Sequence, residues 1–434
     1  MRIVIRSPDA RGARLAQEKL AAAGVEAAAL TGAAEAPEGH DIIILDADES
    51  RRSAALEMGR KLASADARPL AIVASVDWRQ PPPAGLDVHE PFDGWISVNA
   101  PPQMVARQIQ AIYRAALTDE ERRRRRVTAE SMGVDPFERP TQRRLKALYI
   151  GAPSPFFLAL ERMWAAHAGL VTAAFSSFSG FDHLHDEFFD AVVLNGAADS
   201  ATAISLCAAL RRNAGLHHLP TLVVTQAGDS ATARAAAERG AAAVIPEDAP
   251  SEEGVAWLFD AIRRERRRRC AENELRALRD RMGDAHTGLF TSQAFETHLQ
   301  RLANDHHATG RPFSLVALRV LPAPGARTPG EAVWRKGFRE VATLASRLIR
   351  DTDCGAALGR ELIVCALPAT NHAGARRTAE RIAAVGECTA FASGDGDAGP
   401  LVFEQSTVEM KPGESGRALL ARALEAFEAQ SAAV

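Results

Sequence analysis

Short apolar runs of four or five residues, separated by longer stretches whose apolar positions recur every three to four residues, fill the first 117 positions of the chain. The runs at 2–5, 41–45, 70–74 and 94–96 predict strands, and the stretch 10–23, stopped by Gly24, predicts an amphipathic helix. From about residue 145 the alternation starts again, with strands expected at 147–150, 171–174, 191–194, 221–225 and 242–245. Strand and helix in alternation predict a doubly wound parallel sheet with helices on both faces, here twice in tandem. Two longer helical stretches punctuate this pattern. One carries Asp119-Glu120-Glu121 and then Arg122 through Arg126, ahead of a Pro-containing linker at 135–140. The other, 253–282, carries an arginine-rich run from Arg263 to Arg269 and then Leu275, Leu278 and Met282 at spacings of three and four. We expect both sets of arginines on solvated faces, and the apolar stripe to pair with its copy in a homodimer.

With 434 residues the chain is too long for one ordinary core. Its 47% hydrophobic and 25% charged residues are those of a globular protein, and a formal charge of −3 provides no general field for nucleic acid. No apolar run has the length of a bilayer span and the first residues do not form a secretory signal, so no membrane insertion and a cytoplasmic location are expected. The five cysteines have no paired spacing. Cys207, Cys354 and Cys365 are read as buried small hydrophobes and Cys270 as inert. The adjacent His217 and His218 cannot both point at one metal from a helix and are assigned to the surface.

The most informative chemistry lies near the end of the chain. Arg350 and Asp353 are three residues apart, and on a helix such positions share a face. A guanidinium beside a carboxylate suits guanine, whose O6/N7 edge accepts hydrogen bonds and whose opposite edge donates them. Shortly after come Gly359-Arg360-Glu361-Leu362-Ile363 and a hydrophobic run to Leu367. Together these residues resemble the centre of a diguanylate cyclase (GGDEF) domain, in which the hairpin holds the reacting nucleotide and an Arg-x-x-Asp step binds the product, cyclic di-GMP. Thr287-Gly288-Leu289 resembles part of the opening motif of the same domain, although Ser292-Gln293 replaces its Asn-Arg. The resemblance also implies a ligand contact from Arg381.

Three departures bear on catalysis. The family takes Mg²⁺ ligands from the hairpin's second acid and from a neighbouring strand, places where this chain has Leu362 and Arg319. A fixed cation repels the metal, and Arg360 stands where glycine lets the backbone approach the nucleotide. The resemblance therefore implies no metal and no catalytic residue, with cyclic di-GMP retained as ligand.

The tandem repeat resembles response-regulator receiver domains. Asp46 closes the third strand where that family carries its phosphoacceptor, but Arg6-Ser7-Pro8 stands where its acidic pair would be, with Asp9 just beyond. In the second copy Asn195 takes the nucleophile's place, and an amide cannot replace it. The resulting expectation is an α/β chain of receiver-like domain (1–117), helical extension and linker (118–143), degenerate receiver-like domain (144–264), linker helix (265–282) and degenerate GGDEF domain (283–434). This is the layout of the PleD group. It implies a non-catalytic cyclic di-GMP effector, bound through Arg350, Asp353 and Arg381, that recruits protein adaptors or substrates of regulated proteolysis at the cell pole. Two alternatives remain: a residual cyclase making cyclic di-GMP from GTP, and a scaffold switched by phosphorylation of Asp46.

Overall fold

The computed structural model describes residues 1–31, 39–65, 68–77, 91–134, 143–248, 252–325, 329–389 and 401–431. The expected linker at 135–140 lies outside them. The chain divides into two compact units, Met1–Leu117 with Pro140–Arg269, and Thr118–Arg139 with Cys270–Val434. The tandem halves thus share one unit.

In that unit, strands β1 (Ile3–Ser7), β2 (Ala27–Thr31), β3 (Ile42–Asp46), β4 (Ala71–Ser75) and β5 (Gly94–Ile96) form a parallel sheet in the order β2-β1-β3-β4-β5. Helices α1 (Ala10–Ala22), α2 (Arg52–Ala63) and the start of α3 (Pro102–Ser131) accompany it. The second half repeats the order with β6 (Lys146–Ile150), β7 (Leu170–Ala174), β8 (Ala191–Asn195), β9 (Thr221–Thr225) and β10 (Ala243–Pro246). Its helices are α4 (Pro155–Ala166), α5 (Ser177–Asp186), α6 (Ser200–Arg212), α7 (Ser230–Glu238) and the first part of α8 (Glu252–Met282). This 2-1-3-4-5 order is the flavodoxin-like one. Strands β1, β4, β8 and β9 are buried along their whole length, as expected of parallel strands covered on both faces. Val255, Leu258, Phe259 and Ile262 of α8 join the inner faces of both sheets into one core with Ile43, Ile72, Trp95, Tyr149 and Trp164.

The second unit holds an antiparallel sheet ordered β12-β13-β11-β14, from β11 (Phe313–Pro322), β12 (Cys354–Leu358), β13 (Leu362–Pro368) and β14 (Leu401–Glu409). On one face lie α9 (Ser292–Thr309), α12 (Gly416–Ser431) and the end of α8; on the other lie α10 (Glu331–Leu348) and α11 (His372–Glu387).

Two expectations about the long helices fail here. Arg124 and Arg125 are buried, at 6% and 1% exposure. Acids three and four residues earlier make this possible: Glu121 pairs with Arg124 and, at 2.8 Å, with Arg125. Arg124 also reaches Asp305 at 2.7 Å, and Glu121 meets His298 at 2.8 Å. The stripe Leu275, Leu278 and Met282 is likewise covered, Leu278 and Met282 packing with Ala129, Phe290 and Phe295 of the same chain. That surface is not offered to a second copy.

Candidate functional site

Arg350 and Asp353 do not sit on a helix. Helix α10 ends at Leu348 and Ile349 is already extended, so the pair spans a turn that leads directly into β12. The turn closes on itself: Asp353 N–H donates to Arg350 O at 2.9 Å, and Arg350 N–H donates to Asp353 Oδ2 at 2.9 Å. A short carboxylate that satisfies a nearby backbone N–H competes with helix continuation, which is why the helix stops here. The Arg350 side chain is exposed, whereas Asp353 is 5% exposed. Burial pushes the Asp353 carboxyl up to about 6, and its Oδ1 has no hydrogen-bond partner. The two side chains are therefore not the side-by-side pair the helical spacing predicts.

What surrounds the turn is a set of guanidinium groups. From α11, Arg381 donates to Leu348 O at 2.8 Å. From α8, Arg276 lies 3.5 Å from the carboxylate of Asp351. From beneath, Arg125 donates to Asp353 O at 2.7 Å and to Glu121 at 2.8 Å, with its guanidinium 5.3 Å above the Phe290 ring. Burial alone would raise the Glu121 carboxyl, but the neighbouring His298, Arg125 and Arg124 hold it low. Arg125 and Arg276 were not singled out by the sequence. Acids at the preceding helical turn were the available signal for Arg125; Arg276 had none.

At the other end of β12 the expected hairpin forms. Leu358 pairs with Leu362, and Gly359, with φ of 71°, opens the loop in a conformation that suits glycine. Its backbone is pinned by Val320 N–H to Glu361 O at 2.8 Å and by Trp334 Nε1–H to Arg360 O at 2.9 Å. Arg360 pairs with Glu331 at 3.1 Å in solvent. Strand register sets Arg319 opposite Leu362, so the two positions inferred for metal ligands do adjoin. Arg319 pairs with Glu404 and stands 5.0 Å above the Phe427 ring. A cleft of about 430 Å³ opens beside the hairpin, lined by Asp284, Thr287, Trp334, Arg339, Gly359 and Arg360 among others. Thr287, in the Thr-Gly-Leu stretch, donates to Asp284 at 2.9 Å. Among the described residues no group of three or more His, Cys, Asp or Glu is arranged to hold a metal.

In the first unit, Asp46 ends β3. It accepts from Ser7 Oγ at 2.8 Å and pairs with Arg51, which also reaches Asp9 at 2.9 Å. It does not cap the following helix. Asp9 instead caps α1, through Gly12 N–H, and burial with the charge of Asp46 raises the carboxyl of Asp48. At the same place in the second sheet, Asn195 donates to Tyr149 Oη at 2.8 Å and Ala152 O at 3.1 Å, and accepts from Ala197 N–H at 3.1 Å. Cys207, Cys354 and Cys365 are buried, Cys270 is exposed, and burial pushes the Cys365 thiol up to about 12.

No family model matches this chain, and no curated protein does. Solved structures show partial likeness. The GGDEF domain of DgcB from Caulobacter crescentus, in complex with c-di-GMP, is 22% identical, covering 36% of this chain and 89% of its own, with a TM-score of 0.31. The diguanylate cyclase SiaD of Pseudomonas aeruginosa, with its activator SiaC, is 19% identical over 34% of this chain and 58% of its own, at a TM-score of 0.28. A protein described as a response regulator from Chloroflexus aurantiacus is 18% identical over 28% of this chain and 98% of its own, at 0.26. Likeness at these scores carries no argument about the site, which rests on its own residues. No described helix is long and apolar enough to cross a membrane.

Proposed function

We propose that this chain is a non-catalytic receptor for cyclic di-GMP, similar to the effector PopA within the PleD group of receiver–receiver–GGDEF proteins. The observation that carries the reading is the Leu348–Asp353 segment, where the exposed Arg350 and Arg381 converge on a turn locked by its own backbone. Arginine offers guanine a planar donor fork and a stacking face, and offers phosphate a permanent charge. Asp353 serves this site by holding the turn. Its Oδ1 lies buried without a donor, an arrangement that costs about 1–3 kcal/mol and that the fold retains while the other oxygen closes the turn.

Arg319 beside Leu362 supports the absence of turnover, because the paired positions that would grip Mg²⁺ supply a cation and an aliphatic chain. In this reading the ligand changes which surface is offered to protein adaptors or substrates of regulated proteolysis at the cell pole. Calorimetric titration of the full chain with cyclic di-GMP should give saturable binding that Arg350→Ala abolishes. No binding by the intact chain refutes the receptor reading. Production of cyclic di-GMP from GTP and Mg²⁺, lost in Glu361→Ala, would establish the cyclase alternative instead.

The phosphorylation-switched scaffold has one observation in its favour: Asp46 stands at the carboxyl end of the third strand of a 2-1-3-4-5 sheet. Against it, Arg51 already pairs with both Asp46 and Asp9. Acetyl phosphate treatment followed by mass spectrometry, with Asp46→Asn as control, decides between them.

A further inference from the structure

Three exposed guanidinium groups meet the outer side of the Leu348–Asp353 segment, and one of them, Arg276, comes from α8. Of the three, Arg276 alone pairs with a carboxylate there, that of Asp351. Set against the carboxylates of Asp351 and the buried Asp353, the three arginines leave an excess of positive charge for a phosphodiester. Arg276 is also held loosely. Its contact with Asp351 is 3.5 Å long between groups that are 47% and 29% exposed, and its other bond, to Glu272 O, is 3.4 Å. A solvent-exposed pair of this kind contributes little, so the guanidinium can exchange a carboxylate for a phosphate at small cost.

We infer that Arg276 is a third binding residue of the cyclic dinucleotide, contacting a phosphate, with Asp351 as the group that holds it in the unliganded chain. The inference rests on the receptor reading above and extends it, since it makes α8 part of the site. Ligand binding then breaks a contact on that helix and makes another. Because α8 supplies Leu258, Phe259 and Ile262 to the core shared by the two parallel sheets, the ligand touches an element that the first unit also uses.

Isothermal titration of the full chain with cyclic di-GMP, at several salt concentrations, tests this. A phosphate contact is screened by salt, so Arg276→Ala should weaken binding by about 5- to 30-fold and flatten the salt dependence. Asp351→Asn should tighten binding a few-fold in the native background, and have no such effect when Arg276 is already alanine. Thermal melts of Arg276→Ala should match those of the unsubstituted chain. Loss of binding in Arg350→Ala, together with unchanged affinity and salt slope in Arg276→Ala, overturns this inference alone. No binding by the unsubstituted chain overturns it together with the receptor reading.

Discussion

Strand β12 is five residues long and has a different kind of site at each end. At its start the turn is built from the inside. Asp353 is buried, bonded to the backbone of Arg350 and backed by Arg125, which is itself held by Glu121. At its finish the Gly359–Glu361 loop is held by two backbone contacts, and its side chains face water. In the receptor reading proposed above, the difference separates ligand recognition from metal-assisted transfer within one domain. Recognition by guanidinium groups needs a rigid backbone beneath exposed side chains, and a turn with internal bonds provides that. Metal-assisted transfer needs two carboxylates on adjoining strands, so one arginine in that register is enough to reverse the local charge.

Substitutions at the two ends should therefore separate. The largest effect is expected beneath the turn. Arg125→Ala removes the buried donor of the Asp353 carbonyl and one of the three groups that pair with Glu121, beside Arg124 and His298, and should cost about 3–5 kcal/mol in urea unfolding of the chain. A loss below about 1 kcal/mol would remove the claim that the turn is backed from inside. Next, Arg350→Ala should lower cyclic di-GMP affinity about 100-fold or more while changing stability by less than about 0.5 kcal/mol, because its side chain is exposed.

A pH experiment isolates Asp353. Its carboxyl is raised by burial to about 6, so the stability it contributes is present below the ordinary carboxylate range and is lost as pH rises through about 6. Asp353→Asn should erase that slope and make the chain more stable at pH 7.5 by roughly 2–3 kcal/mol, with the gap closed by pH 4. Native binding should weaken as pH falls from 7 to 5 and the carboxylate that accepts from Arg350 N–H is neutralised. A flat profile in both measurements would count against the buried acceptor. The smallest effect belongs to the hairpin: Arg360→Gly should leave cyclic di-GMP affinity within about twofold and stability within about 0.5 kcal/mol, since its pair with Glu331 is solvent-exposed. A large change there would mean the two ends are not independent.

Much of the layout was readable in advance. All but one of the strands of the two parallel sheets coincide with apolar runs, because a strand covered on both faces has no polar side to show. The exception, β2, spans Ala27–Thr31, where an alanine-rich stretch favours helix; it forms as a half-exposed edge strand by pairing with β1. The hairpin and its register were also legible, since Gly359 and the run after Leu362 mark turn and strand.

The burial of the arginines was not. A run of like charges reads as a solvated face, and only the acids one turn earlier, with Asp305 and Leu275 O arriving from distant parts of the chain, let Arg124 and Arg125 lie inside. The same holds for Arg350 and Asp353, whose spacing fits a helix and a turn equally well.

By itself the sequence determined which side chains exist to do chemistry: a carboxylate at 353, arginines at 276, 350 and 381, and no acid at 319 or 362. Tertiary structure decided which of them reach solvent. Asp353 lies inward because its carboxylate closes the turn at the foot of β12, and Arg276 lies against Asp351 because α8 passes there. Identity is a local property of the chain, whereas accessibility depends on what distant segments bring alongside.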